Sequence, residues 1–218
     1  MRISLVSKLR KIWIIKLAPL RKLFLSKDKK RVFLDCGSNL GQAFDHFSQY
    51  YPTDFYDYVL FEPNPHCLKV LRENYGDIPN LEIVDGAVWT EDGTMELFGL
   101  VEDHRGEISD GASLLSSHNT KFYEPDAEKA LTVPTIDFTE YLKTKLDYDE
   151  IIVKMNIEAS EYDVLEKMIE KDQIKHVDHF YIGFHAQFMT GDEKKAFEVR
   201  EKAIKVHLNK RNKLYVWH

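Results

Sequence analysis

Lys154-Met155-Asn156-Ile157-Glu158-Ala159-Ser160-Glu161 follows directly on an apolar run, Ile151-Ile152-Val153. If that run is a strand, alternation sends Lys154, Asn156 and Glu158 to one side. An ammonium, an amide and a carboxylate facing one cleft can orient a polar substrate and move a proton. Glu161 falls in the first turn of the helix that should follow, where the helix dipole alone is reason enough for an acid. His185 ends another apolar run, and an imidazole titrating near neutrality suits a general base. His104 and His118 lie in a polar stretch and are weaker candidates for substrate contacts.

A second group of residues suits the binding of a ligand. Asp35-Cys36-Gly37-Ser38-Asn39-Leu40-Gly41 reads D-x-G-x-N-x-G. Gly37 and Gly41 permit a sharp turn and close approach of a ligand to the backbone. The dinucleotide fingerprint G-x-G-x-x-G fails, because Asn39 and Gln42 stand where its second and third glycines belong. No pyrophosphate cradle is implied, and Asp35 suits a cationic ligand such as an amino-acid ammonium or a sulfonium. Glu62, framed by Pro63 and Pro65, is placed to accept from both hydroxyls of a ribose. Asp85-Gly86-Ala87 offers an acceptor for an exocyclic amine and room for a flat ring.

Each group closes an apolar run, and those runs supply the architecture. Strands are expected at Val32–Leu34, Tyr58–Phe61, Leu81–Val84, Ile151–Met155, His179–Phe184 and Leu214–Trp217, with helices between them. Such alternation gives an α/β fold, a mostly parallel central sheet with helices on both faces, whose ligands bind outside the carboxyl ends of the strands. Val88-Trp89 and Met95–Phe98 flank Asp92-Gly93, a hairpin signal. Ser160 with Asp163 has capping-box spacing. Residues 99–130 are polar and aperiodic and read as a long loop, a kind that is usually functional or disordered.

Charge separates the chain into two parts. Residues 1–31 hold eleven Lys or Arg and one acid, while the other 187 residues hold 19 basic and 35 acidic side chains, a net of −16. A body that acidic excludes a broad basic face for nucleic acid. The expected division is a basic amphipathic leader or linker over 1–30 and a catalytic domain over 31–218. The leader's longest apolar run, Ile12–Ile15, is far short of the roughly 20 residues of a membrane span. It suits contact with an anionic membrane surface or a partner domain. Two cysteines, Cys36 and Cys67, without zinc spacing, fit a reduced cytoplasmic setting, with the leader allowing a peripheral membrane position.

Taken together, VFLDCGSNLGQ, LFEPNP, VPTIDFTEYL and KMNIEASEYDVL resemble the FkbM family of methyltransferases from about residue 31 to 185. The resemblance implies a Rossmann-like class I methyltransferase fold, S-adenosylmethionine as methyl donor, and O-methylation of a hydroxyl, commonly on a sugar or glycan. It implies that Asp35, Gly37, Asn39, Gly41 and Glu62 line the cofactor site, which Asp85 and Ala87 extend, and that Lys154, Asn156, Glu158 and His185 face the acceptor. Two residues depart from the family's lysine-x-aspartate-x-glutamate-glycine block. Asn156 replaces the aspartate and weakens a metal-assisted mechanism, since an amide binds a hard cation less well than a carboxylate, so no metal is expected. Ala159 replaces the glycine. Six sheet strands where the fold commonly has seven, together with the leader, suggest one domain of a larger glycan-synthesis protein. A non-catalytic module binding S-adenosylmethionine or a nucleotide is the alternative. A nicotinamide-dependent oxidoreductase is disfavoured by the failed glycine fingerprint.

Overall fold

The computed structural model describes residues 25–210 and 214–217; most of the basic leader, residues 1–24, lies outside the described residues. Six strands make the main sheet: β1 (Arg31–Cys36), β2 (Asp57–Glu62), β3 (Leu81–Asp85), β7 (Glu150–Met155), β8 (His179–Ile182) and β9 (Leu214–Val216). Their spatial order is β3-β2-β1-β7-β8-β9, and every neighbouring pair runs parallel. Counted along the chain, these strands have the doubly wound order 3-2-1-4-5-6, with its switch point between β1 and β7. All six residues of β1 are buried, as expected of a strand covered on both faces.

Helices α1 (Gln42–Phe47) and α2 (Pro65–Tyr75) join β1 to β2 and β2 to β3. Phe44 and Phe47 of α1 pack with Phe33, Tyr58 and Ile152 on one face of the sheet. Helix α3 (Phe138–Lys143), α4 (Glu161–Glu170) and α5 (Gly191–Lys210) cover the other face, where Leu142, Val164, Leu165 and Ile204 meet Val32, Leu34 and Val153. The start of α2 is set by Pro65 at its first turn and by Asn64, whose side chain accepts from the His66 amide at 3.0 Å.

Two local expectations are overturned. Strands β4 (Ala87–Trp89) and β5 (Gly93–Leu97) do not form a hairpin, because β6 (Leu131–Asp137) lies between them, parallel to β4 and antiparallel to β5. The Asp92-Gly93 turn therefore spans the end of β6, where Asp92 accepts from the Asp137 amide at 2.9 Å. A lone hairpin is marginal, and β6 bonds both strands at once. The capping box is absent as well. Ser160 is already helical at φ −70°, its side chain caps nothing, and Asp163 instead takes Arg200 of α5 at 2.8 Å.

Candidate functional site

A cleft of about 230 Å³ opens outside the carboxyl ends of β1 and β7. Its ligand-facing wall begins with Gly37 at φ +78°, a left-handed turn that favours glycine. Gly37 and Ser38 donate their amides to the Phe61 carbonyl, both at 3.0 Å, which folds the turn back over β2. Glu62, 5% exposed, holds this wall together by accepting from the Asn39 amide at 2.7 Å and the Asn64 amide at 2.9 Å. Burial raises its pKa to about 7, against the pull of those two amides.

Asp35 and Lys154 are directly opposed in the β1–β7 register. Their side chains meet at 2.8 Å, 0% and 3% exposed. Lys154 Nζ also donates to the Gly37 carbonyl at 2.6 Å. Lys154 touches the cleft, but its charge is matched beneath the glycine turn, and Asp35 is not part of the lining. Asp35 therefore stands behind the turn and outside the lining, while Lys154 supports the turn from the edge of the cleft. Burial raises the Asp35 pKa, and Lys154 opposes the shift.

Glu158 enters the cleft by a different route from strand alternation. It lies beyond the end of β7 in a left-handed pair, φ +51° at Glu158 and +75° at Ala159, and this elbow turns its side chain toward the cavity. Its Oε1 is 3.1 Å from His185 Nε2, while Glu161 Oε1 is 2.9 Å from His185 Nδ1. A ring with a carboxylate at each nitrogen is favoured in its doubly protonated form. Although burial opposes it, the two carboxylates raise the His185 pKa well above its ordinary value. The two carboxylates favour the charged ring, which suits His185 to steadying Glu158 better than to taking a proton. Glu161, fully buried, anchors that ring and the His185 amide, at 3.1 Å, so a helix-dipole role does not account for it. Asn156 lines the same wall, its amide 3.4 Å from Glu158 Oε1.

The cleft brings together Gly37, Asn39, Glu62, Ala87, Asn156 and Glu158. Gly41 opens α1 at φ +92° and packs on Tyr75, outside the lining. Asp85 is half exposed beside Arg72 at 3.5 Å and is also outside it. In its place the lining carries Ala87, Leu97 and Leu114, which share one small apolar cluster, together with Val88 and Ile157. His104 is exposed beside Asp103. The sequence reading missed Trp217, Ser109 and Asp110, all of which line the cleft. The last two belong to the long segment 99–130, which is folded onto the site.

A doubly wound α/β fold with a ligand cleft at its switch point is the class that these elements define. No family model and no curated protein matches the chain. Among solved structures, methyltransferase FkbM from Methylobacillus flagellatus KT is similar over 81% of this chain, at 11% identity and a TM-score of 0.46. The chain spans 37% of that protein's length. No described helix is long and apolar enough to cross a membrane.

Proposed function

We propose that the chain is an S-adenosylmethionine-dependent O-methyltransferase acting on a hydroxyl of a sugar or glycan. The observation that carries this reading is the pairing, in one cleft, of a glycine turn backed by buried Glu62 with a carboxylate, Glu158, aimed from the opposite wall. The residues fit the donor. The Gly37–Asn39 turn lines the cleft where an amino-acid end would lie, Glu62 keeps lone pairs for ribose hydroxyls, and Ala87, Leu97 and Leu114 give an apolar surface for a flat ring. Bound there, S-adenosylmethionine supplies a methyl group on a sulfonium.

Glu158 would accept the proton of the acceptor hydroxyl, while Asn156 orients that hydroxyl and the cleft walls hold it in line. Trp217 lines the cleft, and an aromatic side chain there suits a sugar ring. Mass spectrometry of labelled methyl transfer across a glycan and small-molecule panel tests the reading, alongside calorimetric titration with S-adenosylmethionine. Donor binding without transfer to any acceptor would favour the non-catalytic module, and no binding would refute both.

Two further results are expected. Gly37→Ala places a Cβ 2.1 Å from the Asn156 carbonyl oxygen at a positive φ. The backbone conformation alone costs about 1–2 kcal/mol, and the clash forces the two walls apart. Donor affinity should fall more than about tenfold, which needs only about 1.4 kcal/mol; unchanged affinity would contradict the placement of the donor at this turn.

The second concerns pH. Glu62 is raised to about 7 in the fold, so it is protonated below that value and a weaker acceptor for ribose hydroxyls. Donor affinity should rise with pH up to about 7 and level off above it, and Glu62→Gln should flatten the profile. The linked stability has the opposite sign: the folded state binds a proton that the unfolded chain releases near 4.5, so this group's contribution falls as pH rises from 4.5 to 7.

A further inference from the structure

Glu158 is approached from two sides, and His185 accounts for one. The other is His118, carried by segment 99–130 and 1% exposed. Its Nε2 lies 3.4 Å from Glu158 Oε2. The ring packs edge-on against His185 and Phe188, with centroids 5.7 Å away in each case. Burial lowers its pKa to about 4, and the charged His185 adds to the shift while Glu158 opposes it. A neutral imidazole has one N–H. Facing a carboxylate oxygen, that hydrogen belongs on Nε2, since the other tautomer would set a lone pair against Oε2.

Neither nitrogen of His118 makes a well-formed hydrogen bond. A buried donor left unmade is costly, and contacts of this kind are often long before substrate binds and shorten in the reactive complex. The segment bearing His118 is tied to both halves of the cleft. Ser113 Oγ donates to the Glu158 carbonyl at 2.5 Å. Asn39 Nδ2 donates to the Ser109 carbonyl at 3.1 Å, and Asn64 Nδ2 to the Glu107 carbonyl at 2.7 Å. Asn39 and Asn64 are also the residues whose backbone amides hold Glu62.

We propose that His118 is a positioning residue for Glu158: its Nε2–H fixes Oε2, so that the carboxylate keeps the rotation that turns a lone pair toward the acceptor. Because the same segment is pinned across the donor half, Glu158 is set only when that segment is docked. This rests on the methyltransferase reading above.

Two measurements on the full chain test it. Nitrogen NMR of the imidazoles should find His118 neutral and protonated on Nε2 at pH 7, with that resonance moving in Glu158→Gln. A charged ring, or the Nδ1–H tautomer, would overturn the inference. In kinetics, His118→Phe should lower kcat about 10- to 100-fold, the order that misplacing a reacting group by about 1 Å costs. The donor KM should change less than about twofold, and His118→Gln, which restores an N–H, should recover most of the loss. Equal losses in both variants, normal turnover in both, or a fall in donor affinity matching the fall in kcat would each overturn it. Absence of transfer by the unmodified protein would refute the methyltransferase reading instead, and the tautomer, which needs no turnover, would still decide the contact.

Discussion

Glu158→Gln is expected to lower kcat for methyl transfer by about 10²- to 10⁴-fold, the usual worth of a positioned base, while donor affinity stays within about twofold. The expectation follows by elimination among the described groups at the cleft. Lys154 is charged and tied to Asp35 and the Gly37 carbonyl. His185 lies between two carboxylates that favour its charged form. Glu62 belongs to the donor wall and accepts two amides. Asp110 pairs with Arg105 in the long segment. Glu158, its side chain 12% exposed, keeps electron pairs free for an acceptor hydroxyl. Glutamine preserves the volume while removing the charge and the basicity and replacing one acceptor oxygen with an NH2 donor. His185 retains Glu161, so the buried charge is still matched and the fold should hold. Glu161→Gln supplies the contrast: it strips the buried imidazolium of its deeper partner and should lower thermal stability as well as rate. Near-normal turnover in Glu158→Gln would remove the carboxylate from the mechanism, whatever becomes of the donor site.

The inner strands were legible because buried parallel strands are short apolar runs, while the edge strands β3 and β9, only partly buried, showed through shorter apolar runs closed by a turn or polar residue. The glycine turn and Glu62 could be placed for the same reason: they are fixed by position at a strand end. The pairing of Asp35 with Lys154 was hidden, although both residues stood out singly. It depends on β1 and β7 being neighbours, a fact of topology that no local pattern carries. Glu161 was misjudged because an acid in a first helical turn looks the same whether it faces water or a buried imidazolium, and burial alone separates the two. Glu158 could be assigned to the cleft but for the wrong reason, since the left-handed Glu158-Ala159 elbow leaves no mark in a sequence that has alanine where glycine would announce it. Segment 99–130 lacks periodicity because it is held by isolated apolar anchors, Leu100 and Leu114, and by side-chain-to-carbonyl bonds, with no long helix or strand to set a period. His118, Ser113 and Ser109 were therefore invisible as a group.

Lys154→Met should cost about 3–5 kcal/mol of stability, because it leaves the Asp35 carboxylate buried without its partner. For a chain of this length that is a fall in Tm of roughly 6–20 °C. The deficit should shrink as pH falls. Burial already raises the Asp35 pKa, losing the lysine raises it further, and a folded state that prefers the protonated acid gains on the unfolded chain as protons are supplied. The double variant Asp35→Leu/Lys154→Met separates two roles of the pair. Replacing a buried ion pair by apolar side chains of similar size is often neutral or stabilising, so most of the lost stability should return. Ligand binding should not return with it. The lysine also holds the Gly37 carbonyl at 2.6 Å, and methionine cannot donate to that oxygen, so the turn that forms the donor wall loses its inner support. Donor affinity in the double variant should stay more than about tenfold below that of the unmodified protein, or about 1.4 kcal/mol. A double variant that is both stable and fully able to bind would mean that the pair serves only the core. A single variant that loses less than about 1 kcal/mol, within the range of an exposed pair, would mean that Asp35 finds water or another donor when the lysine is gone.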